Sequence, residues 1–418
     1  MRIHLVSEHA SPLALLGSVD AGGQNVYVAA LAKSLAGLGV DVVVHTRRDD
    51  PSLPRRVALR RGVTVEHVDA GPPVPLAKDE LLQYMGEFAD ELDRSWRRTR
   101  PDVVHAHFWM SGLAAMDAAA RLGIPVALTF HALGAEKRRH QGAADSSPSS
   151  RIEAERWLAT NADHVIATTA QEFRTLVSLG GDADRMSVVP CGVDLELFSA
   201  DGATWPRSPG RRRVVCVSRL VPRKGIAEVI DAVAGLCDVE LLIAGGPPEA
   251  MLSEDPHAVE LLDRIERLGI GDRVQLLGAV ERPRVPSLLR SADVVCCTPW
   301  YEPFGMVAVE AMACGIPVVA SAVGGLAETI VDGRTGILVP PRQSRSIRAA
   351  ITTLLGDPSR RRAMRNAALR RASRYAWPAI AGRTLDIATR MQAQGRVSPA
   401  EGPLPAVAWT IGAGGGAG

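Results

Sequence analysis

The run Trp300-Tyr-Glu-Pro-Phe-Gly-Met-Val-Ala-Val-Glu-Ala-Met-Ala-Cys-Gly-Ile-Pro-Val-Val-Ala320 spells out a strand, a loop, a helix and a second strand of an α/β sheet. Ala292-Asp-Val-Val-Cys-Cys297 before it is short and apolar, the signature of a buried strand. Pro299 and Pro303 keep the next residues extended. Gly305 lets backbone approach a ligand, and Met306 to Cys314 then reads as a helix that stops at Gly315 before the strand Pro317-Val-Val-Ala320. Such a helix start leaves free amides that accept an anion. Glu302 in the loop and Glu310 one turn into the helix can face the same spot. Two carboxylates beside an anion site suit a ligand that carries hydroxyls and phosphates.

Working outward, apolar runs of strand length alternate with amphipathic stretches on both sides of this segment, the pattern of parallel sheets built from βαβ units. At 418 residues the chain suits two domains of roughly 150–200 residues each. The Pro- and Arg-rich stretch Thr204-Trp-Pro-Arg-Ser-Pro-Gly-Arg-Arg-Arg213 interrupts the alternation. The expected division is residues 1–200, a linker at 201–212, a second doubly wound domain at 213–374, and a terminal helix at 375–392 that packs back on the first domain. Residues 393–418, rich in Gly, Ala and Pro, read as a disordered tail. Helical periodicity from Pro358 to about Gln392 predicts a terminal helix pair kinked at Pro378. Two such domains in tandem place ligands in a cleft at the C-terminal ends of their strands.

Composition excludes several classes. The net charge of +2 and basic clusters without interleaved aromatics, such as Arg360 to Arg362, give no nucleic-acid signature and read as solvated faces. No run reaches the ~18–20 apolar residues of a membrane helix, and Met1-Arg-Ile-His-Leu-Val6 reads as a strand rather than a signal peptide. Peripheral membrane contact is left open. The six cysteines have no C-x-x-C spacing and read as reduced residues of a cytoplasmic protein. Lysine occurs only at Lys33, Lys78, Lys137 and Lys224, so each hints that a compact ammonium was needed.

Other constellations fall in loops after strands. Gly22-Gly23, within Asp20-Ala-Gly-Gly-Gln-Asn25, opens a helix and serves either as a plain cap or as an anion turn. Ser218-Arg-Leu-Val-Pro-Arg-Lys-Gly225 places Arg219 and Lys224 where a diphosphate could be gripped. His105-Ala-His107 and Thr129-Phe-His131 end two strands. His105 reads as a buried, hydrogen-bonded histidine, and His107 and His131 as polar residues at the cleft. Asp182-Ala-Asp184 is a solvated turn rather than a metal triplet, so no metal is expected.

Taken together, Gly22-Gly23, His131, Arg219 with Lys224, and Glu302 with Glu310 inside Glu-Pro-Phe-Gly-Met-Val-x-Val-Glu resemble the retaining glycosyltransferases of family 4. The likeness runs from Met1 to about Met391 and includes Gly324-Gly325. Asp20-x-Gly-Gly-Gln, His105-x-His107-Phe-Trp and His131-Ala-Leu-Gly-x-x-Lys137 are most similar to the sucrose-phosphate synthase and D-inositol-3-phosphate glycosyltransferase branch. The resemblance implies the GT-B fold, two Rossmann-like doubly wound α/β domains facing across a cleft, with acceptor on the first and nucleotide-sugar on the second. It implies that Glu310 holds the ribose, and that Glu302 and the backbone of Phe304, Gly305, Met306 and Val307 hold sugar and diphosphate. Arg219 and Lys224 would neutralise the departing phosphate, Gly22 and Gly23 would approach the diphosphate, and Leu277 would meet the base. His131 would touch the transferred sugar near the reacting carbon. Lys78, His107 and Arg151 would line the acceptor site, Lys78 and Arg151 at positions that bind an acceptor phosphate. This chain departs at Ala132, where the inositol-phosphate enzymes carry Thr, and at Phe108, where Tyr is common.

The implied activity is metal-independent transfer of a hexosyl group, with retention, from a nucleotide-sugar to a small-molecule or glycan acceptor, with no cofactor required. UDP is the default base of the family. The rivals are a glycoside hydrolase, which leaves Arg219, Lys224 and two Gly-rich turns without purpose, a nucleotide-sugar epimerase on the same fold, and a catalytically silent nucleotide-sugar-binding protein.

Overall fold

The computed structural model describes residues 1–13, 22–142 and 145–397. Asp20 and residues 398–418 of the expected tail lie outside the described residues. The described chain divides into two compact units, one of residues 1–13, 22–190 and 378–397, the other Cys191–Trp377.

The first unit is built on eight strands: β1 (Arg2–Val6), β2 (Asp41–Arg47), β3 (Arg56–Arg60), β4 (Val63–Val68), β5 (Val103–His107), β6 (Val126–Thr129), β7 (His164–Ala167) and β8 (Met186–Val188). They lie in the order β3-β4-β2-β1-β5-β6-β7-β8, all parallel except the β3–β4 pair. Central strands are buried on both faces because helices cover them, so they read as apolar runs, here interrupted by the buried histidines His4, His45, His105 and His107. The edge strand β3 escapes the sequence reading because Arg56-Val-Ala-Leu-Arg60 is largely solvated. It is held by its hairpin and by Arg56, which donates to the buried carboxylate of Glu66 at 2.9 Å. The helix Gly134–Gln141 is likewise absent from the reading, since its sequence is polar all round.

In the second unit β9 (Arg212–Val217), β10 (Val239–Ala244), β11 (Val274–Gly278), β12 (Val294–Cys297), β13 (Val318–Ser321) and β14 (Gly336–Val339) form an all-parallel sheet in the order β11-β10-β9-β12-β13-β14. The segment expected to link the domains is fastened to this unit. Trp205 N donates to Ser287 O at 2.9 Å, and Arg207 bonds Asp293 at 2.6 Å.

The terminal helices are broken rather than kinked. The helix Pro358–Ala372 ends, residues 373–375 make a 3-10 turn, and Trp377–Gln394 begins anew. Pro378 sits in its first turn, where the missing N–H breaks no helical bond. Residues 378–397 belong to the first unit, where Val397 N donates to Asp163 at 2.6 Å.

Candidate active site

In a parallel sheet all strands deliver their following loops to one edge, so side chains distant in sequence meet there. On the second unit three such loops converge. After β9, residues 222–224 make a 3-10 turn and Gly225 adopts φ 70°. A Cβ on Gly225 would lie 2.0 Å from the Thr298 carbonyl, so only glycine lets this turn seat against the loop after β12. The two loops are stitched by Trp300 N donating to Arg223 O at 2.8 Å and by Trp300 Nε1 donating to Glu228 at 2.9 Å.

This seating brings Lys224 Nζ into an ion pair with Glu302. Burial pushes the Glu302 carboxyl up, but Lys224, Arg223 and Arg219 outweigh it and hold the group below the usual carboxylate range. Glu302 is thus an anion at neutral pH and an acceptor of hydrogen bonds. Arg219 lies exposed on the same turn.

Beyond Glu302, Gly305 (φ 91°) turns the chain into the helix Met306–Ala313. The first amides of that helix, Met306 and Val307, have no partner within it. Glu310, buried one turn along, accepts from Arg282 Nη2 at 2.6 Å through Oε1. Its Oε2 is buried and has no hydrogen-bond partner among the described residues. A buried, unpaired carboxylate oxygen is costly unless a ligand donor completes it. Leu277, half-buried at the end of β11, precedes Gly278, whose φ of 65° turns the chain towards Arg282.

The first unit gathers a separate set at the ends of β1, β5 and β6. Gly22 caps the helix Gly23–Gly37, its amide donating to Asn25 Oδ1 at 3.0 Å, and Gly23 is exposed at the helix start. Gln24 ties this start to the sheet, donating to Ser7 Oγ at 3.1 Å and to the His107 carbonyl at 3.2 Å. His107 Nδ1 and His131 Nε2 are 3.1 Å apart, with the edge of Tyr27 against both rings. Burial pushes the His131 imidazole down to about 3, helped by His105, His9 and Lys78, so a neutral His131 faces His107, whose imidazole burial also pushes down. His105 bonds Thr129 Oγ1 at 2.9 Å and stays within the core.

Lys78 Nζ stands 3.6 Å from the centre of the Phe108 ring and the Arg151 guanidinium 5.0 Å from it. Arg151 is buried, bonded to Glu155 at 2.7 Å and to the Ala132 carbonyl at 2.7 Å. Asp182 caps its turn and pairs with Arg185 at 3.0 Å, and among the described residues no group of His, Cys, Asp and Glu is arranged to hold a metal ion.

The expected residues therefore fall into two sets, Arg219, Lys224, Leu277, Glu302, Phe304 to Val307 and Glu310 on one unit, and Gly22, Gly23, Lys78, His107, His131 and Arg151 on the other. The sequence reading missed Arg223, Arg282, Gln24 and the buried Glu8. Glu8 bonds His9 at 2.7 Å and the Ser111 hydroxyl. Gln24 and Arg223 stand inside the motifs that were singled out, whereas Arg282 and Glu8 carry no local signal beyond their residue type.

Residues 21–197 match the model of Glycosyltransferase Family 4, and residues 203–371 that of Glycosyl transferases group 1. A D-inositol 3-phosphate glycosyltransferase of Catenulispora acidiphila is 36% identical over 407 residues, covering 93% of this chain and 95% of its own. The chain belongs to the family 4 glycosyltransferases. A second relative, the D-inositol 3-phosphate glycosyltransferase of Kineococcus radiotolerans, is 38% identical over 416 residues, with 93% and 95% coverage. The solved sucrose-phosphate synthase of Thermosynechococcus elongatus superposes with a TM-score of 0.86 at 29% identity, over 94% of this chain and 99% of that one. This glycosyltransferase thus has the GT-B fold, two sheets of mainly parallel strands flanked by helices. Among the described residues no helix is long and apolar enough to cross a membrane.

Proposed function

We propose that this glycosyltransferase moves a hexosyl group from a UDP-sugar to a small hydroxyl-bearing acceptor, with retention of anomeric configuration and without a metal ion. The observation that carries the reading is the meeting of Arg219, Arg223 and Lys224 on Glu302, next to the start of the helix Met306–Ala313.

Donor binding exchanges the Lys224–Glu302 ion pair for two new contacts, Lys224 to phosphate and Glu302 to sugar hydroxyls. Glu310 Oε2 takes a ribose hydroxyl, and the Met306 and Val307 amides take phosphate oxygens. As the bond from the anomeric carbon to the diphosphate breaks, the growing negative charge meets Arg219, Lys224 and the helix start. Preorganised donors of this kind are worth roughly 3–4 kcal/mol each where charge develops. That stabilisation fills the place of a divalent cation. The acceptor oxygen attacks the face the diphosphate leaves, and its proton passes to the departing phosphate oxygen. Neutral His131 supports the transferred sugar as a hydrogen-bonding group. The kinship with enzymes named for inositol phosphate and sucrose phosphate favours a phosphorylated molecule at the acceptor site, with Lys78 as its cationic contact.

A panel of UDP-, GDP- and ADP-sugars, assayed for nucleotide release with and without inositol phosphates and hexose phosphates, tests the reading. UDP release that requires an acceptor, insensitivity to EDTA and a retained anomeric coupling in the product spectrum are expected. An inverted product or strict metal dependence refutes it.

A further inference from the structure

Among the described residues of the first unit, two non-glycine residues hold left-handed backbones, Phe108 at φ 86° and His131 at φ 61°. Such a conformation is disfavoured and persists only where its surroundings over-determine it. The residues that follow His131 are held from one direction. The Ala132 carbonyl accepts from Arg151 Nη2 at 2.7 Å, and the Gly134 amide donates to the two oxygens of Glu155 at 3.0 and 2.7 Å. Arg151 and Glu155 lie one helical turn apart and bond each other at 2.7 Å, with side chains 5% and 0% exposed. The remaining nitrogen, Arg151 Nη1, donates to Ser147 Oγ at 3.2 Å. A Cβ on Gly134 would sit 2.9 Å from Arg151 Nε, so the loop closes on the guanidinium with no room between. The same guanidinium rests over the ring of Phe108, the other left-handed residue.

We propose that Arg151 and Glu155 are positioning residues: they clamp Ala132 and Gly134 and so hold His131 in its left-handed turn against His107, rather than gripping the acceptor. All three guanidinium nitrogens of Arg151 face protein partners, and its charge is matched by Glu155. The role rests on the transferase reading above, in which His131 supports the sugar. The charge of a phosphorylated acceptor then falls to Lys78.

Full-length protein labelled with 13Cε1-histidine, as wild type, R151K, R151Q and E155Q, tests the clamp without substrate. The His131 and His107 signals are expected to move in R151Q and E155Q while that of His257 stays, with R151K intermediate. In the same samples kcat for acceptor-dependent UDP release from UDP-glucose, at saturating acceptor, falls about 10–100-fold while the donor KM changes less than about twofold. Should R151Q fail to fold, the isosteric E155Q carries the test. Unmoved His131 signals in the folded variants, or a wild-type kcat with only the acceptor KM raised, overturn the proposal. If wild-type protein releases UDP from no donor, the transferase reading fails, and the histidine spectra still decide the clamp.

Discussion

Gly324 packs directly on the main chain of Glu302. A Cβ at Gly324 would lie 2.0 Å from the Glu302 carbonyl oxygen, which already accepts from the Gly325 amide at 2.9 Å, and Gly324 has φ 48°. Gly324→Ala therefore pushes the Glu302 loop off its seat. Thermal unfolding is expected to show a loss of about 1–3 kcal/mol, and the stabilisation by saturating UDP shrinks in parallel. Unchanged UDP stabilisation would separate the loop from the donor site.

Glu302 and Lys224 form one unit in which each compensates the other's burial. Glu302→Ala should raise the donor KM and lower turnover together, and Glu302→Gln, which keeps hydrogen bonding to hydroxyls, should retain more activity than Ala. A general base would lose activity equally in both. Steady-state kinetics of the two variants distinguishes the roles.

Arg282 is the only hydrogen-bond partner of the Glu310 carboxylate among the described residues. Arg282→Met leaves a buried carboxylate bare and should cost about 1–3 kcal/mol of stability. Adding Glu310→Gln to that variant should restore part of the loss while UDP affinity stays weak, as urea unfolding and calorimetric titration would reveal.

The buried histidines set a pH limit. Burial pushes His105 down to about 3 and His45 to about 4, from an ordinary 6.5. A lowered folded pKa means that the unfolded chain binds more protons below pH 6.5. Their stabilisation is therefore complete above 6.5 and is lost as pH falls towards the folded values. Each such group adds a slope of about 1.4 kcal/mol per pH unit. His105→Gln should remove one increment of slope from urea-unfolding free energies measured between pH 6.5 and 5. An unchanged slope would mean that His105 does not stay neutral.

Lys78 is seated over the ring of Phe108. With a phosphorylated acceptor, Lys78→Ala should raise the acceptor KM about 10–100-fold and leave the donor KM near its original value. Equal KM values for phosphorylated and unphosphorylated acceptors in the wild type would remove this role.

The Glu302–Glu310 segment was legible because its signals are local: prolines hold the loop open, Gly305 turns it and the helix follows at once. The alternation of strands and helices was legible for the same reason. Arg282 and Arg223 were not, since an arginine becomes a carboxylate partner only when a sheet edge brings it there. Glu8 shares the difficulty, for it sits in the loop after β1 and its partner Ser111 lies in a helix far along the chain. Strand β3 has only the half-buried Val57 and Leu59 on its inner face and the helix Gly134–Gln141 is polar, so tertiary contacts decide them. The break before Trp377 was read as a kink because Pro378 suits a first turn as well as a bend.

Among the glycines that press on carbonyls, Gly225 on Thr298, Gly245 on Ser218 and Gly324 on Glu302 also bear on how this enzyme could be redesigned. A saturation library over those turns would lose stability in nearly every member, since each side chain meets main chain. Variation in donor choice has to be sought where side chains, not backbone, form the wall. Leu277, half-buried at the end of β11, is a position where a library keeps its members alive.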